Sequence, residues 1–267
     1  MSQTRVYFMS RIKSVLFKAT ICLSTLMFLG PIVGAQEAVE VIRKMNQNSL
    51  GNSSAATMKM TIVRPDWTRE MTMRSWSKGQ ERALILLLSP ARDEGTAFLK
   101  RGREIWNWQP SIDRTIKMPP SMMMQSWMGS DFTNDDLVKQ SSLVDDYTHN
   151  ILKQENIEGY NCYKVELVPK LEAPVVWGKL LIWVEKNHYF QVKAEFYDED
   201  GYLVNRMTGK EVKEIDGRRL PTKLVVISEE NADEKTIIEY DNLEFGVAVD
   251  ERFFTLQNMK RLRANDY

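Results

Sequence analysis

Few residues in this sequence have the types and spacings that catalysis needs. The two histidines, His149 and His188, have no second His or Cys at metal-ligand spacing, so each reads as a strand or turn residue and no metal site is expected. Cys162 lies in an apparent strand and reads as a small buried hydrophobe; a nucleophile there would need a basic neighbour that the sequence does not identify. The acid pairs Asp135-Asp136 and Asp145-Asp146 are adjacent, and adjacent carboxylates point in different directions on a strand or a helix, so capping or solvated charge is their expected role. Asp198-Glu199-Asp200-Gly201 opens like a calcium loop. Position five would be Tyr202, however, and no glutamate follows at the required distance, so a hairpin turn is expected instead. Ser126 or Ser130 with His149 and an aspartate would make a lipid hydrolase, but without the Gly-x-Ser-x-Gly elbow that normally presents such a serine. Phosphate-cradling and dinucleotide-binding glycine motifs are also missing from the sequence, so neither a cofactor nor an enzyme is expected.

The unusual chemistry is apolar. The stretch from Lys100 to Leu137 begins as a strand, turn and strand carrying Trp106 and Trp108, which two-residue spacing places on one face. Pro119-Pro120 then halts regular structure, and Met122, Met123, Met124, Trp127 and Met128 follow with no charge before Asp131. Methionine is unbranched and polarizable, so such a cluster repacks around varied partners. It must be covered by the rest of the protein, another chain, a lipid or a membrane.

The elements that position these residues are mainly strands. Ala38, Val41, Ile42 and Met45 fall at helical spacing within residues 37–47 and predict one amphipathic helix. Beyond Ala55, turn pairs such as Pro65-Asp66, Lys78-Gly79, Glu158-Gly159 and Asp216-Gly217 separate short runs that alternate apolar and polar, the pattern of an antiparallel meander. Met58, Met60 and Ile62 mark one buried face, as do Met71 and Met73. Ala83 to Leu88 and Leu180 to Val184 are apolar on both faces and belong inside the sheet with cover on both sides. Thr133 to Asp136 and Asp250 predict two further short helices by capping. The expected fold class is mainly β: a large, strongly curved or partly closed antiparallel sheet with about three helices as lid or plug.

Residues 1–35 read as a cleaved signal peptide, with Arg5, Arg11, Lys13 and Lys18 before an apolar run and small residues at Val33-Gly34-Ala35; residues 36–267 read as a single domain. Of 36 basic residues the mature chain keeps 32, against 36 acidic ones, and this slight negative charge argues against a nucleic-acid partner. Cys22 leaves with the signal peptide without a lipid-attachment motif before it, so no internal disulfide is expected.

With Trp106-x-Trp108-x-Pro110, Arg114, and the run from Ser126 to Leu137 centred on Met128-Gly129-Ser130-Asp131-Phe132, the chain resembles the outer-membrane lipoprotein-sorting protein family, the LolA/LolB-like carriers. Ser89-Pro90 with Gly95 to Leu99, Gly217-Arg218 with Pro221, and Phe253 to Leu256 extend the resemblance over nearly all of the mature chain. It implies a half-open antiparallel barrel lidded by helices, in a periplasmic carrier whose concave apolar face shelters acyl chains. The physical need is clear: at about 0.8 kcal/mol per methylene, a chain of about 14 costs roughly 11 kcal/mol to expose to water. The expected lining is Phe98, Trp106, Trp108, Met122, Met124, Trp127, Met128 and Trp183, with Arg103 and Arg114 as contacts for a head group or an acidic partner. Expected partners are lipid or lipoprotein acyl chains, an inner-membrane exporter, and a membrane surface touched transiently by the segment from Met122 to Met128. The rivals are an accessory or scaffold protein of an envelope lipid transporter and, less favoured, the hydrolase.

Overall fold

The computed structural model describes residues 30–138 and 143–264 of the 267-residue chain, with side chains from residue 36 onward. The signal-peptide expectation falls almost wholly outside the described residues. Helix α1 (Gly30–Leu50) is longer than its periodic core predicts. It buries Ala38, Val41, Ile42 and Met45, while Glu40 and Arg43 pair on its exposed side. Among the described residues, no helix is long and apolar enough to cross a membrane.

Among the described residues thirteen strands follow: β1 (Ser53–Arg64), β2 (Trp67–Lys78), β3 (Arg82–Ser89), β4 (Ala97–Arg101), β5 (Glu104–Gln109), β6 (Arg114–Lys117), β7 (Tyr147–Ile157), β8 (Tyr160–Pro169), β9 (Lys179–Glu185), β10 (Gln191–Tyr197), β11 (Leu203–Ile215), β12 (Arg218–Ser228) and β13 (Lys235–Phe245). They form one curved antiparallel sheet in the order β6-β5-β4-β3-β2-β1-β13-β12-β11-β10-β9-β8-β7, not closed into a barrel. Strands consecutive in sequence are paired in space except β6 and β7, which form the two edges, and the two meanders are joined by pairing of β1 with β13. Short turns make this possible: Glu158-Gly159 and Asp216-Gly217 both adopt positive φ, the backbone twist that a two-residue hairpin connection requires.

The two faces of the sheet are covered differently. The inner face carries α1 and the main core, including Met60, Ile62, Met71, Met73, Ile85, Leu87, Leu180, Ile182 and Val184. The outer face of the β1–β5 half buries Trp76, Leu84, Leu86 and Leu99 under the chain's last described turns, where Phe254, Met259 and Leu262 pack. There Asp250 accepts from the Arg252 amide to cap a 3-10 turn, and Thr255 accepts from the Asn258 amide to cap helix α3 (Leu256–Arg261). On the other half, Leu181, Trp183, Phe190 and Val192 form a separate outer cluster. Strands β3 and β9 are therefore dry on both faces, as their unbroken apolar runs predict.

The chain from Met118 to Val138 leaves the sheet after β6 and contributes cover to the inner face. Helix α2 (Asn134–Val138) starts in a reciprocal cap. Thr133 N and Oγ1 donate to Asp136 Oδ2 at 2.8 and 2.9 Å, and the Asp136 amide donates back to Thr133 Oγ1 at 3.1 Å.

Candidate functional site

Between the inner face, the last turns of α1 and the α2 region lies a cavity of about 290 Å³. Its walls are mostly apolar: Met58 and Met73 from β1 and β2, Ile85 from β3, Leu180 and Ile182 from β9, Ala194 and Phe196 from β10, Leu224 and Ile238 from β12 and β13. These positions alternate with outward-facing residues, so sheet geometry alone aims them at one space. Met45 and Leu50 of α1 and Trp177, before β9, close the sides.

The cover is tied down by an ionic knot. The Asp131 side chain is nearly buried and accepts from Arg64 Nη2 at 3.1 Å, Arg64 Nη1 at 3.3 Å and Thr236 Oγ1 at 2.6 Å. Its own amide donates to Thr236 Oγ1, and its carbonyl accepts from Asn205 Nδ2 at 2.8 Å. One aspartate therefore fastens the cover to β1, β11 and β13. The preceding residues make the sharp approach possible: Met128 and Gly129 both have positive φ, and their carbonyls accept from Arg69 and Arg64. The motif Met128 to Phe132 is thus a fastening.

Electrostatics differ along the cavity. Asp136 is held by Trp177 Nε1 at 2.7 Å, yet burial pushes its carboxyl up to about 6 against the opposing effect of its hydrogen bonds to Trp177 and Thr133. Burial, with Asp135 and Asp136 nearby, raises the Tyr147 hydroxyl, and burial lowers the His149 imidazole. His149 Nε2 is bonded to the Leu143 carbonyl, and Ser130 Oγ donates to the Trp127 carbonyl at 2.7 Å. Both hydrogen bonds go to main chain, which is not the serine–histidine pairing a hydrolase would need. Asp198 Oδ1 accepts from the Tyr202 amide, the hairpin turn expected of that acidic run.

None of the eight expected lining residues is in the wall of this cavity: five lie on the inner or cover side of the sheet and three on the outer. Phe98 faces inward and packs 5.4 Å from Trp127, which is fully buried. Met122 and Met128 are half-buried against the same core. Met124 is 63% exposed, on the rim of a shallower depression of about 490 Å³ beside Trp177 and Asp198 to Asp200. Trp106 and Trp108 do share a face, but it is the outer one. Register decides this: Trp106 pairs with Leu99 and Trp108 with Ala97, both outward, whereas inward Phe98 pairs with Asn107. The two indoles pack with the outer cluster, and Lys260 of α3 sits 4.9 Å from the Trp108 ring. Trp183 likewise faces outward between Lys164 and Lys193, with Nε1 donating to Glu155. Arg103 is 75% exposed and pairs with Asp146 at 3.4 Å, and Arg114 is exposed at the start of edge strand β6; neither lines the cavity. What sequence reasoning missed is that the cavity walls are sheet residues. The alternating Met58 and Met73 carried the signal, but the same alternation describes solid core.

A family model described as "Uncharacterized protein" matches residues 79–261. A comparison with curated proteins returned no match. Among solved structures, a DUF1329 family protein from Desulfovibrio piger is similar at 23% identity and TM-score 0.78, covering 85% of this chain and 99% of that one. A domain described as an outer membrane lipoprotein-sorting protein, from Vibrio parahaemolyticus, is similar at 24% identity and TM-score 0.76, covering 85% and 100%. A LolA superfamily protein from Nitrosomonas europaea is similar at 23% identity and TM-score 0.72, covering 82% and 98%. The chain belongs to the family whose model spans residues 79–261, and its open, helix-plugged sheet is the fold of LolA superfamily and lipoprotein-sorting proteins.

Proposed function

We propose that the protein is a periplasmic carrier that shelters the acyl chains of a lipid or lipoprotein on its way from the inner towards the outer membrane. The observation that carries this reading is the apolar cavity of about 290 Å³ between the sheet, α1 and the cover. That volume is near the lower end of ligand pockets, roughly 300–1,000 Å³. At about 30 Å³ per water-sized group it holds roughly ten methylenes, whose removal from water is worth about 8 kcal/mol. Longer chains require the Met122–Met128 segment to yield, and unbranched methionines adapt to such a change at little cost. In this reading exposed Met124 touches the membrane or an exporter during transfer. The fold shared with lipoprotein-sorting proteins supports the same assignment.

The test is mass spectrometry of organic extracts from protein purified without detergent out of its native compartment, for the wild type and for Ala194→Phe. Ala194 is buried on the cavity wall, so a phenyl ring there takes up the space of the cargo. Stoichiometric acyl lipid or acylated peptide on the wild type, and its loss from a folded variant, is the expected result. A folded wild-type protein that carries no lipid and takes up none from vesicles would overturn the reading.

A further inference from the structure

We propose that Asn46 is a seat for the carbonyl group of an acyl ester or acyl amide, so that the cavity takes a neutral carbonyl head together with the hydrocarbon chain attached to it. The inference rests on the carrier reading above and specifies its cargo.

Helix α1 turns one face to the sheet, and Ala38, Val41, Ile42 and Met45 share that face by their spacing. Asn46 continues the same stripe, one turn after Ile42, and is only 5% exposed. Leucine would suit the position better on both grounds that usually decide it, helix propensity and burial. Asn46 instead lines the cavity with a carboxamide whose Nδ2 has no hydrogen-bond partner among the described residues. A buried amide N–H left unpaired is costly, so its presence on an apolar stripe points to an acceptor that arrives with the cargo. Rotation about the last side-chain bond swings that N–H towards the cavity. The platform beneath it is fixed. Arg218 Nη1 donates to the Gln47 carbonyl at 2.8 Å and the Asn48 carbonyl at 3.3 Å, and Asn48 Nδ2 donates to the Arg219 carbonyl at 3.0 Å, so the last turns of α1 are pinned to β12.

The charges on the wall argue for a neutral head. Among the described residues the cavity is lined by two cations, Arg82 and Lys100, and two carboxylates, Asp135 and Asp136. Lys100 Nζ donates to the Gln80 carbonyl at 2.9 Å, Arg82 pairs with Glu251 at 3.6 Å, and Asp136 Oδ1 accepts from Trp177 at 2.7 Å. The hydroxyls of Ser54 and Ser77, also on the wall, bond to each other at 2.8 Å. An ionised head gains little from a wall whose charges are balanced and engaged, and it must give up its own hydration to enter. An ester or amide carbonyl loses far less on entry and accepts the one N–H on offer. It also stands directly at the end of the hydrocarbon that Met58, Met73, Ile85 and Ile182 would shelter.

The experiment is calorimetric titration of the purified protein with two matched pairs of single-chain probes below their micellar concentrations. Monolauroylglycerol is paired with the dodecyl ether of glycerol, and lauroylethanolamide with the dodecyl ether of ethylene glycol, so that the ether in each pair lacks the carbonyl. The expected result is that at least one carbonyl probe binds about fivefold or more tighter than its ether. Asn46→Leu should bring that ratio to within about twofold of one, hold the ether's affinity within about twofold, and leave the melting temperature unchanged or raised. A preference confined to the glycerol pair names an acyl ester, and one confined to the ethanolamide pair names an acyl amide; either supports the seat. Equal binding within both pairs overturns it while leaving the carrier standing, because water then serves the amide as well as the cargo does. A preference that survives Asn46→Leu overturns it too, since the carbonyl is then held elsewhere. So does a fall in melting temperature with equal loss of both members of a pair, which would make Asn46 a purely structural residue. Failure of all four probes to bind overturns the carrier reading and the seat with it. Should Asn46→Leu not fold, Asn46→Ala removes the same N–H and decides among these outcomes.

Discussion

Replacing Asp136 by asparagine should change how the fold responds to pH. Burial pushes this carboxyl from 3.8 up to about 6, so between those values the folded chain holds a proton that the unfolded chain has lost. Stability from this group is therefore fully present below pH 3.8 and is lost as pH rises through about 6. At about 1.4 kcal/mol per pH unit, the gap sets a ceiling of roughly 3 kcal/mol by pH 7.5. Asp136 keeps partial solvent contact, so about half of that is the working expectation. Asparagine stays neutral and retains an oxygen for Trp177 Nε1, but gives up one acceptor of the Thr133 cap, a cost of about 1 kcal/mol at any pH. The variant should therefore be the less stable protein at pH 4.5 and gain about 1 kcal/mol on the wild type by pH 7.5, since about a third of the effect is already lost at pH 4.5. Urea unfolding followed by near-UV circular dichroism at four pH values measures this difference. His149, whose pKa burial lowers, works in the opposite direction, with stability present above about 6.5 and lost as pH falls, but it is common to both proteins and cancels. A stability difference that stays flat with pH, or one that turns against the variant as pH rises, would refute the assignment.

Asp131→Ala leaves Arg64 and Thr236 without their central acceptor, and breaking a buried pair costs about 3–5 kcal/mol, which at this chain size lowers the melting temperature by roughly 10 °C; a drop under about 2 °C would mean that the knot is not holding the cover. Trp108→Ala should destabilise by about 3 kcal/mol yet leave acyl-chain affinity intact in the surviving folded fraction, because the ring packs on the outer face under α3; selective loss of affinity would put the cavity on the wrong side of the sheet. In Gly178→Ala a Cβ would fall 2.3 Å from the Asp198 carbonyl oxygen, so the β8–β9 and β10–β11 loops must separate, and weakened thermal stability together with altered near-UV signal from neighbouring Trp177 is expected. Arg103→Ala removes an ion pair that is open to water on the arginine side and should cost under about 1 kcal/mol by urea titration.

The architecture was legible because the sheet's physics is local. Alternation at Met58, Met60 and Ile62 and two-faced runs at β3 and β9 translate directly into burial, and pairs such as Asp216-Gly217 announce hairpins by their backbone needs. The Thr133–Asp136 cap could be read from four residues. The site was less legible, for a geometric reason. Two-residue spacing shows that Trp106 and Trp108 share a face but not which face, and only pairing with Ala97 and Leu99 of the next strand settles it. Trp183 failed the same way, since β9 is apolar on both sides. The cavity walls could not be told from solid core, because whether inward residues touch or leave a gap depends on curvature and on the depth of α1, which no single strand encodes. The knot at Asp131 is a non-local fact as well: Arg64, Asn205 and Thr236 come from three strands far apart in sequence.

The pairing of β1 with β13 at the middle of the sheet also sets the order of assembly. Strands β1 to β6 and β7 to β13 are each a meander whose hairpins close within the chain already made, so each half has a fast local route to its pairing. Joining the halves requires Ser54 to find Phe245, 191 residues further on. Closure across so long a segment is the slow step. Until it happens, strands of 12 and 11 residues each keep one open edge, a hazard for self-association. A chain delivered amino terminus first must hold the β13-facing edge of β1 open until nearly all of it has arrived, which makes this seam the natural point for a folding helper to guard.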